Sequence, residues 1–149
     1  MKHPIAAAAA LALLAAASAA QAETAAEQAN KALVVKMWNT CFDAQDTACV
    51  ASYLAPDYIQ HNPNVASGRE AFVAYFSKFW HGPLKGADLK LTKFDAVLAD
   101  GDLVQLVQMR PKPEPGDATK TYPSFWFDLF RVKDGKLVEH WDGALKPGK

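Results

Sequence analysis

The chain has 149 residues, of which 50% are hydrophobic, and it carries 16 basic and 16 acidic side chains. This length and apolar content predict one domain with a single hydrophobic core rather than two domains. The balanced charge and the absence of a basic run predict that the protein does not bind nucleic acid.

The first 22 residues have the pattern of a secretory signal peptide. Lys2 provides a basic start, residues 5–17 form an unbroken apolar run, and a small-residue cleavage site ends at Ala22. We expect cleavage before Glu23, which leaves residues 23–149 as the mature domain. The apolar run is shorter than the roughly 20 residues that span a bilayer. We therefore expect a periplasmic or secreted protein without a stable membrane anchor.

Helices are predicted in the first half of the mature chain. Across residues 25–42, apolar side chains recur in pairs every three or four positions, which is typical of a helix with one buried face. Asp46 is a capping residue for a second, short helix, and Pro56 ends that helix. Ser67 followed by Glu70 forms a capping-box pattern that predicts a third helix with an aromatic face, ended by a Gly-Pro pair.

Two cysteines, Cys41 and Cys49, flank the turn between the first two helices. In an oxidising compartment such a pair can form an intramolecular disulfide, and two buried free thiols are the alternative. The short turn favours the disulfide. No histidine or aspartate spacing around the pair resembles a zinc site, so we expect no metal there.

Strand patterns begin after the second helix. Residues 58–63 predict a short strand that leads into a loop, because Asn62 precedes a proline and favours an extended backbone. Residues 89–94 alternate with a period of two, and a turn at Asp100-Gly101 returns the chain through residues 103–109. That pattern predicts a hairpin.

The last part of the chain predicts a second hairpin. Residues 110–121 contain several prolines and predict an exposed loop. Residues 122–132 and 137–141 then form two strands around an Asp134-Gly135 turn. Helices first and strands last predict an α+β domain with a meandering antiparallel sheet.

Motifs for nucleotide binding, serine hydrolysis and zinc proteolysis are missing from the sequence. Instead, Asp128 lies within the apolar run 125–130, and His140 and Asp142 flank Trp141. A carboxylate among apolar neighbours needs a polar partner if it is buried. These three polar residues are therefore the candidate site.

The register of the second hairpin decides whether the three polar residues meet. A two-residue turn would set Asp128 opposite Trp141, and His140 and Asp142 would then lie on the other face. A three-residue loop would set Asp128 opposite His140, and Trp126 opposite Asp142. We expect the three-residue loop, because it places the polar residues on one face and avoids burying two separate charges.

Four motifs extend across nearly the whole mature chain: Tyr-Ile-Gln-His-Asn-Pro at 58–63, Gly-Arg-Glu at 68–70, Phe-Asp-Leu-Phe-Arg at 127–131, and the segment 134–142. Together they resemble the SnoaL-like polyketide cyclases of the nuclear-transport-factor-2-like superfamily. The resemblance implies three N-terminal helices packed on a strongly curved, mixed or antiparallel sheet, which forms a cone with an internal pocket. This agrees with the α+β order predicted from periodicity.

The resemblance also implies a chemistry. In such cyclases an aspartate on a late strand takes a proton from a carbon next to a carbonyl, and no cofactor is needed. Asp142 matches that position. His140 or Asp128 would orient Asp142, and His61 with Asn62 would donate hydrogen bonds to a carbonyl oxygen.

Neighbouring branches of the superfamily are matched less well. Epoxide-hydrolase-like members have an arginine two residues before a strand aspartate, where this chain has Trp126. Isomerase-like members use a tyrosine as a hydrogen-bond donor, for which Tyr58 or Tyr122 could stand in. The expected apolar walls of the pocket are Trp38, Phe76, Trp126 and Phe130.

Two functions therefore stay open at the level of sequence. One is an enzyme that performs acid–base chemistry, an aldol-type cyclisation or an isomerisation, on a small carbonyl compound. The other is a non-catalytic periplasmic binding module for a small apolar ligand. Either would be compatible with a homodimer, because Phe125, Phe127 and Leu129 would form an apolar patch on the open face of the sheet.

Overall fold

The computed structural model describes residues 22–147, so the predicted signal peptide lies outside the described residues except for Ala22. The helices are α1 (Ala25–Met37), α2 (Thr47–Tyr53) and α3 (Arg69–Phe76), with a π-helical turn at Trp38–Phe42 and a 3₁₀ turn at Gly86–Asp88. The strands are β1 (Leu54–Gln60), β2 (Ala96–Asp100), β3 (Leu103–Met109), β4 (Lys112–Glu114), β5 (Asp117–Tyr122), β6 (Phe125–Lys133) and β7 (Lys136–Asp142).

The main sheet has five strands in the order β1, β7, β6, β3, β2. Strand β1 runs parallel to β7, and the other neighbouring pairs are antiparallel. Strands β4 and β5 form a separate two-stranded sheet. The α+β fold is confirmed, and the main sheet is mixed because the first strand of the chain joins the last one.

The core lies between the helices and one face of the main sheet. Val34 and Met37 of α1 and Phe72 of α3 pack in one cluster with Val104 of β3 and Phe130 of β6. Burial of such side chains contributes about 1.5–3 kcal/mol each. The helices therefore cover the inner face of the sheet and leave the other face to solvent.

The first helical segment spans the predicted 25–42. It begins with a capping box, in which the Thr24 hydroxyl accepts the backbone N–H of Glu27 and the Glu27 carboxylate accepts that of Thr24. Its last five residues form the π-helical turn, which contains the buried side chains of Trp38 and Cys41. The wider turn positions Trp38 and Cys41 towards the core.

The disulfide between Cys41 and Cys49 is confirmed, and the two Cα atoms lie 5.2 Å apart. Asp46 caps α2 as predicted, because its carboxylate accepts the backbone N–H of Cys49 at 2.9 Å. The disulfide and the cap together hold the start of α2 against the end of the first helical segment.

The predicted start and end of the third helix are wrong. Ser67 does not cap α3, because its hydroxyl accepts the backbone N–H of Gln60 in β1 at 3.0 Å. Gly68 takes the capping position with a φ of 102°, which favours glycine. Arg69 then donates to the carbonyl oxygen of Leu54 at 2.7 Å. The helix ends at Phe76.

Two predictions about the strands are also wrong. Residues 89–94 form no strand, because the Asp43 carboxylate accepts both the backbone N–H and the hydroxyl of Thr92 at 2.7 Å and takes the place of a ladder partner. Residues 110–121 are not a loop throughout, since β4 and β5 form a hairpin there. Pro113 is tolerated because β4 is an edge strand with one neighbour.

Candidate functional site

A cavity of about 230 Å³ lies between the helices and the inner face of the main sheet. Its apolar lining includes the four predicted wall residues, Trp38, Phe76, Trp126 and Phe130. The polar lining residues are Tyr58, Gln60, Asn62, Tyr75, Arg110, Asp128, His140 and Asp142. The three polar residues singled out in the sequence therefore meet in one mainly apolar cavity.

The hairpin between β6 and β7 brings these residues to one face by a route that the sequence analysis did not predict. The turn has two residues, Asp134 and Gly135, both with positive φ, as in a type I′ turn. A β-bulge follows, since Arg131 pairs with Glu139 whereas Val132 pairs with Leu137.

The extra residue in that bulge is Val138. It shifts the alternation of β7 by one position, so that Asp128 lies opposite Asp142, and Phe130 lies opposite His140. The expected three-residue loop, with Asp128 opposite His140, is wrong. The polar residues nevertheless lie on one face, because the bulge shifts β7 by one residue, as the three-residue loop would have done.

Asp128 is the most buried of the site carboxylates, with 4% of its surface exposed. Its Oδ1 accepts the indole N–H of Trp126 at 3.1 Å and lies 3.2 Å from His140 Nε2. Its Oδ2 accepts the side-chain N–H of Gln108 at 3.0 Å. Each oxygen thus has at least one hydrogen-bonding neighbour, as a buried carboxylate requires.

The contacts of His140 define where protons can lie. Gln60 Oε1 accepts the backbone N–H of Asn62 at 3.0 Å, which orients the Gln60 amide. The same oxygen lies 2.8 Å from His140 Nδ1, so Nδ1 carries a proton. His140 Nε2 lies 3.2 Å from Asp128 Oδ1, so the imidazole contacts Gln60 through one ring nitrogen and Asp128 through the other.

Asp142 is partly exposed and lies at the same cavity. Its Oδ2 accepts the side-chain N–H of Asn62 at 2.7 Å, and its Oδ1 accepts the backbone N–H of Ala144 at 2.9 Å. Asn62 is oriented in turn, because its Oδ1 accepts the backbone N–H of Asn64. The carboxylate is held in one position while it keeps lone pairs free for a proton.

Tyr58 lies beside these carboxylates and is 2% exposed. Burial raises the pKa of its hydroxyl, and the charges of Asp128 and Asp142 raise the pKa further. A hydrogen bond with Gln60 opposes this rise only in part. The phenol therefore stays protonated and can act as a hydrogen-bond donor in the cavity.

Two candidate site residues from the sequence do not line the cavity: Tyr122, which is 39% exposed, and His61. The His61 ring stacks on Trp141 with centroids 4.9 Å apart, and its Nε2 lies 2.8 Å from Glu139 Oε1. The expected donation from His61 to a carbonyl oxygen does not fit this position. Adjacent residues of an extended chain point to opposite sides, so Asn62 turns inward and His61 outward.

Three polar residues of the site were missed in the sequence: Gln60 and Arg110 line the cavity, and Gln108 donates a hydrogen bond to Asp128. Gln60 and Gln108 each lie on a strand in phase with inward residues, and that period-two pattern could have revealed them. Arg110 follows β3 within the segment that the sequence predicted as a loop. Its guanidinium lies over the Trp126 ring at 4.8 Å, and its Nη2 lies 3.9 Å from Asp128 Oδ2.

Asp128, His140 and Asp142 are also a group that could supply metal ligands, because one ligand atom from each lies within 4.8 Å of the others. Hydrogen-bond donors already occupy both oxygens of Asp128, and Arg110 lies close to one of them. Because these neighbours are N–H donors, they suit a carboxylate that accepts hydrogen bonds better than a carboxylate that binds a metal cation.

The sequence of this domain matches the family model of the SnoaL-like domain over residues 35–140. The chain belongs to the SnoaL-like domain family. The matched range begins within α1 and ends at His140, so it contains Asp128 and nearly the whole main sheet. No curated protein sequence matches the chain.

Solved structures share the fold. One from Jannaschia sp. CCS1, named as a SnoaL-like polyketide cyclase, is 17% identical, with 83% of this chain and 91% of that chain covered and a TM-score of 0.59. One from Xanthomonas campestris, named as a polyketide cyclase, is 19% identical, with 78% and 90% covered and a TM-score of 0.53. An LEH-like epoxide hydrolase from M. tuberculosis is 14% identical, with 76% and 81% covered and a TM-score of 0.53. At these identities the likeness concerns the fold, and it does not transfer an activity.

Proposed function

We propose that this SnoaL-like domain is an exported acid–base catalyst that acts on a small carbonyl compound without a cofactor. The observation that carries the proposal is the position of Asp142, whose oriented carboxylate meets an apolar cavity beside the buried pair of Asp128 and His140. A general base needs this combination of access to the substrate and a fixed geometry.

The proposed reaction begins with proton transfer from carbon. Asp142 takes the proton from the carbon next to a carbonyl, and the C–H electron pair moves to the carbonyl oxygen to form an enolate. The protonated Tyr58 hydroxyl donates a hydrogen bond to that oxygen. The proton on Asp142 then returns to a different carbon in an isomerisation, or to the new alkoxide when the enolate carbon attacks a second carbonyl in an aldol closure.

The size of the cavity supports a compact substrate. Its volume of about 230 Å³ lies below the range of roughly 300–1,000 Å³ that is usual for ligand pockets. Trp38, Phe76 and Phe130 offer aromatic surfaces to it. We therefore propose a substrate of about one ring rather than a fused polycycle.

Exchange of α-protons in heavy water, followed by NMR on a panel of small ketones, tests the catalysis. Asp142→Asn should abolish exchange while the protein stays folded, because the amide keeps the shape but is not a base. It can accept only one of the hydrogen bonds from Asn62 and Ala144, so we expect a loss of about 1 kcal/mol in stability. Asp88→Asn, which removes an exposed carboxylate away from the cavity, is the control. Equal exchange in wild type and Asp142→Asn would show that Asp142 is not the base.

A second candidate function is non-catalytic binding of a small apolar ligand in the periplasm. The aromatic wall favours it, since Trp38, Phe42 and Phe76 lie together at the cavity. Ligand retention in native mass spectrometry, with no exchange of any ketone in the panel, would support binding over catalysis.

Export is part of the proposal. Residues 1–22 support it by their basic start, apolar run and small-residue cleavage site. Within residues 22–147 no helix has the length and apolar character of a membrane span. The intact mass of the exported protein should match a chain that starts at Glu23, and a membrane-bound product that retains Met1 would contradict a periplasmic or secreted location.

We also propose a homodimer through the outer face of the main sheet. Phe125 and Phe127 are each 50% exposed, and Met109 and Leu98 lie on the same face with 49% and 55% exposed. A contiguous apolar face of this kind is typical of an interface. Light scattering should give the mass of two chains, and Phe127→Lys should give the mass of one. A monomeric wild type would contradict the proposal.

A further inference from the structure

The cavity contains one cationic side chain whose hydrogen-bonding groups are unused. Within residues 22–147, the Arg110 guanidinium makes no hydrogen bond, and the one carboxylate oxygen within 4.0 Å is Asp128 Oδ2 at 3.9 Å. A guanidinium has five N–H donors and stays charged in proteins. Its stacking on the Trp126 ring uses the flat face of the group, so the N–H edges remain free for a ligand.

Asp128 makes no hydrogen bond with Arg110, because their nearest nitrogen and oxygen atoms are 3.9 Å apart. The oxygens of Asp128 instead accept from Gln108 and Trp126, and Oδ1 also lies against the His140 imidazole. Burial lowers the pKa of Arg110, while the carboxylates of Asp128 and Asp142 oppose that change. The cavity thus holds a partly desolvated cation that would gain from an anionic ligand.

Arg110 and Asp142 lie on opposite sides of β6. Arg110 directly follows β3, and its backbone N–H donates to the carbonyl oxygen of Ser124 at 2.7 Å, so it continues the edge along which β3 meets β6. Asp142 ends β7, which pairs with the other edge of β6. Asp128 lies between the two side chains, because Arg110 Nη2 is 3.9 Å from its Oδ2 and one of its oxygens is within 4.8 Å of an oxygen of Asp142. A ligand of about one ring can therefore span the distance between the cation and the base.

We propose that Arg110 binds a carboxylate of the substrate, which makes the substrate class a small keto acid with the carboxylate at one end and the acidic C–H at the other. This inference rests on the proposed function for the assignment of Asp142. A carboxylate matches the planar fork of a guanidinium in a bidentate pair. A dianion such as phosphate is disfavoured, because the site offers one cation and also contains the carboxylate of Asp142.

The test compares two probes, 4-acetylbenzoate and acetophenone, which share the ring and the acetyl group and differ in the carboxylate. Binding is measured by ligand-observed NMR, and α-proton exchange is followed in heavy water. Wild type should bind the acid roughly tenfold or more tightly than the ketone, as hydrogen bonds to a charged group imply. Arg110→Gln should reduce this ratio to near one, and Arg110→Lys should keep part of it.

Lys112→Gln is the matched control, because it removes a nearby exposed cation that does not line the cavity. It should leave the ratio of the two affinities unchanged. Circular dichroism of each variant establishes that the fold is intact, and Arg110 has no hydrogen bond from its side chain to lose among the described residues.

The outcomes separate this inference from the proposed catalysis. Equal affinity for the two probes in wild type overturns the inference, even if acetophenone exchanges in a manner that depends on Asp142. Binding of the acid through Arg110 without exchange supports the inference and contradicts the catalysis. A preference for the acid that survives Arg110→Gln overturns the inference, as does a folded wild type that does not bind the acid.

Discussion

Strand β7 has a histidine–carboxylate contact on each of its two faces. On the inner face His140 Nε2 lies 3.2 Å from Asp128, and their side chains are 9% and 6% exposed. On the outer face His61 Nε2 lies 2.8 Å from Glu139, and their side chains are 42% and 19% exposed. The shorter contact is the more hydrated one.

The two contacts show that burial, rather than distance, decides what a polar pair contributes. Water competes for the outer pair and screens it, so its net effect on stability is small. The inner pair is removed from water, so each of its groups must keep a partner or be destabilised. For the same reason the inner pair can hold a proton in a defined position beside a substrate, whereas the outer pair serves mainly to fix the loop that contains Asn62.

The largest expected effect is that of Asp128→Ala. This substitution leaves three donors of Trp126, Gln108 and His140 without their acceptor in the core. We expect the free energy of unfolding to fall by about 3–5 kcal/mol, as when a buried ion pair loses one member. Urea unfolding measures it. Glu139→Ala is the control and should cost under about 1 kcal/mol. If the two variants lost similar free energies of unfolding, the buried pair would contribute no more to stability than the exposed pair.

A smaller effect is expected for Trp126→Phe. It removes the one indole N–H that donates to Asp128 Oδ1 but keeps an aromatic wall in the cavity. Loss of one hydrogen bond to a charged group should lower the free energy of unfolding by about 1.5–3 kcal/mol. The matched control on the outer face is Trp141→Phe. The Trp141 indole donates no hydrogen bond within the described part of the chain, so this variant should lose less free energy of unfolding. A larger loss of stability in Trp141→Phe than in Trp126→Phe would contradict the role of the hydrogen bonds around Asp128.

The outer pair should respond to pH. The hydrogen bond from His61 holds the pKa of Glu139 below its ordinary value of 4.5, with help from Arg131 and against the opposing effect of burial. A carboxyl with a lowered pKa stabilises the fold above its ordinary pKa, and this contribution is lost as the pH falls through the lowered value. Wild type should therefore exceed Glu139→Gln in stability at pH 7, by under about 1 kcal/mol. The difference should shrink as the pH falls from 4.5 through the lowered pKa of Glu139 and vanish below it, and a difference that persists there would contradict the assignment.

The smallest expected effect is that of salt on the outer pair. At 1 M ionic strength the screening length is about 3 Å, which weakens contacts between hydrated charges. The stability difference between wild type and His61→Gln should therefore shrink in 1 M NaCl. The difference between wild type and Trp126→Phe should change less, because Asp128 is only 4% exposed. Parallel unfolding curves at low and high salt decide between these outcomes.

Local patterns in the sequence were sufficient for much of the fold. The helical segment over 25–42, the cap at Asp46, the disulfide between Cys41 and Cys49, and the turn at Asp134-Gly135 all depend on residues close together in the chain. The SnoaL-like family and its α+β order were predicted on the same basis. The four predicted wall residues line the cavity, and so do Asp128, His140 and Asp142, which the sequence marks as polar residues among apolar neighbours.

Elements that depend on distant partners were predicted wrongly or missed. Ser67 satisfies the backbone of Gln60 instead of capping α3, and Asp43 holds Thr92 out of the sheet. Arg110 reaches the cavity only because β3 continues beside β6. No local signal distinguishes these roles from those of an ordinary cap, strand or loop residue.

The residue pattern alone shows that Asp128, His140 and Asp142 are polar residues within apolar strands, which must find polar partners if they are buried. How the three residues meet depends on the tertiary structure. The two-residue turn alone would have placed His140 and Asp142 on the outer face, and the bulge at Val138 returned them to the inner one. A strand has a side-chain period of two, so a single extra residue moves the side chains beyond it to the opposite face. The pairing of β7 with β1 and β6 selects where that residue is accommodated.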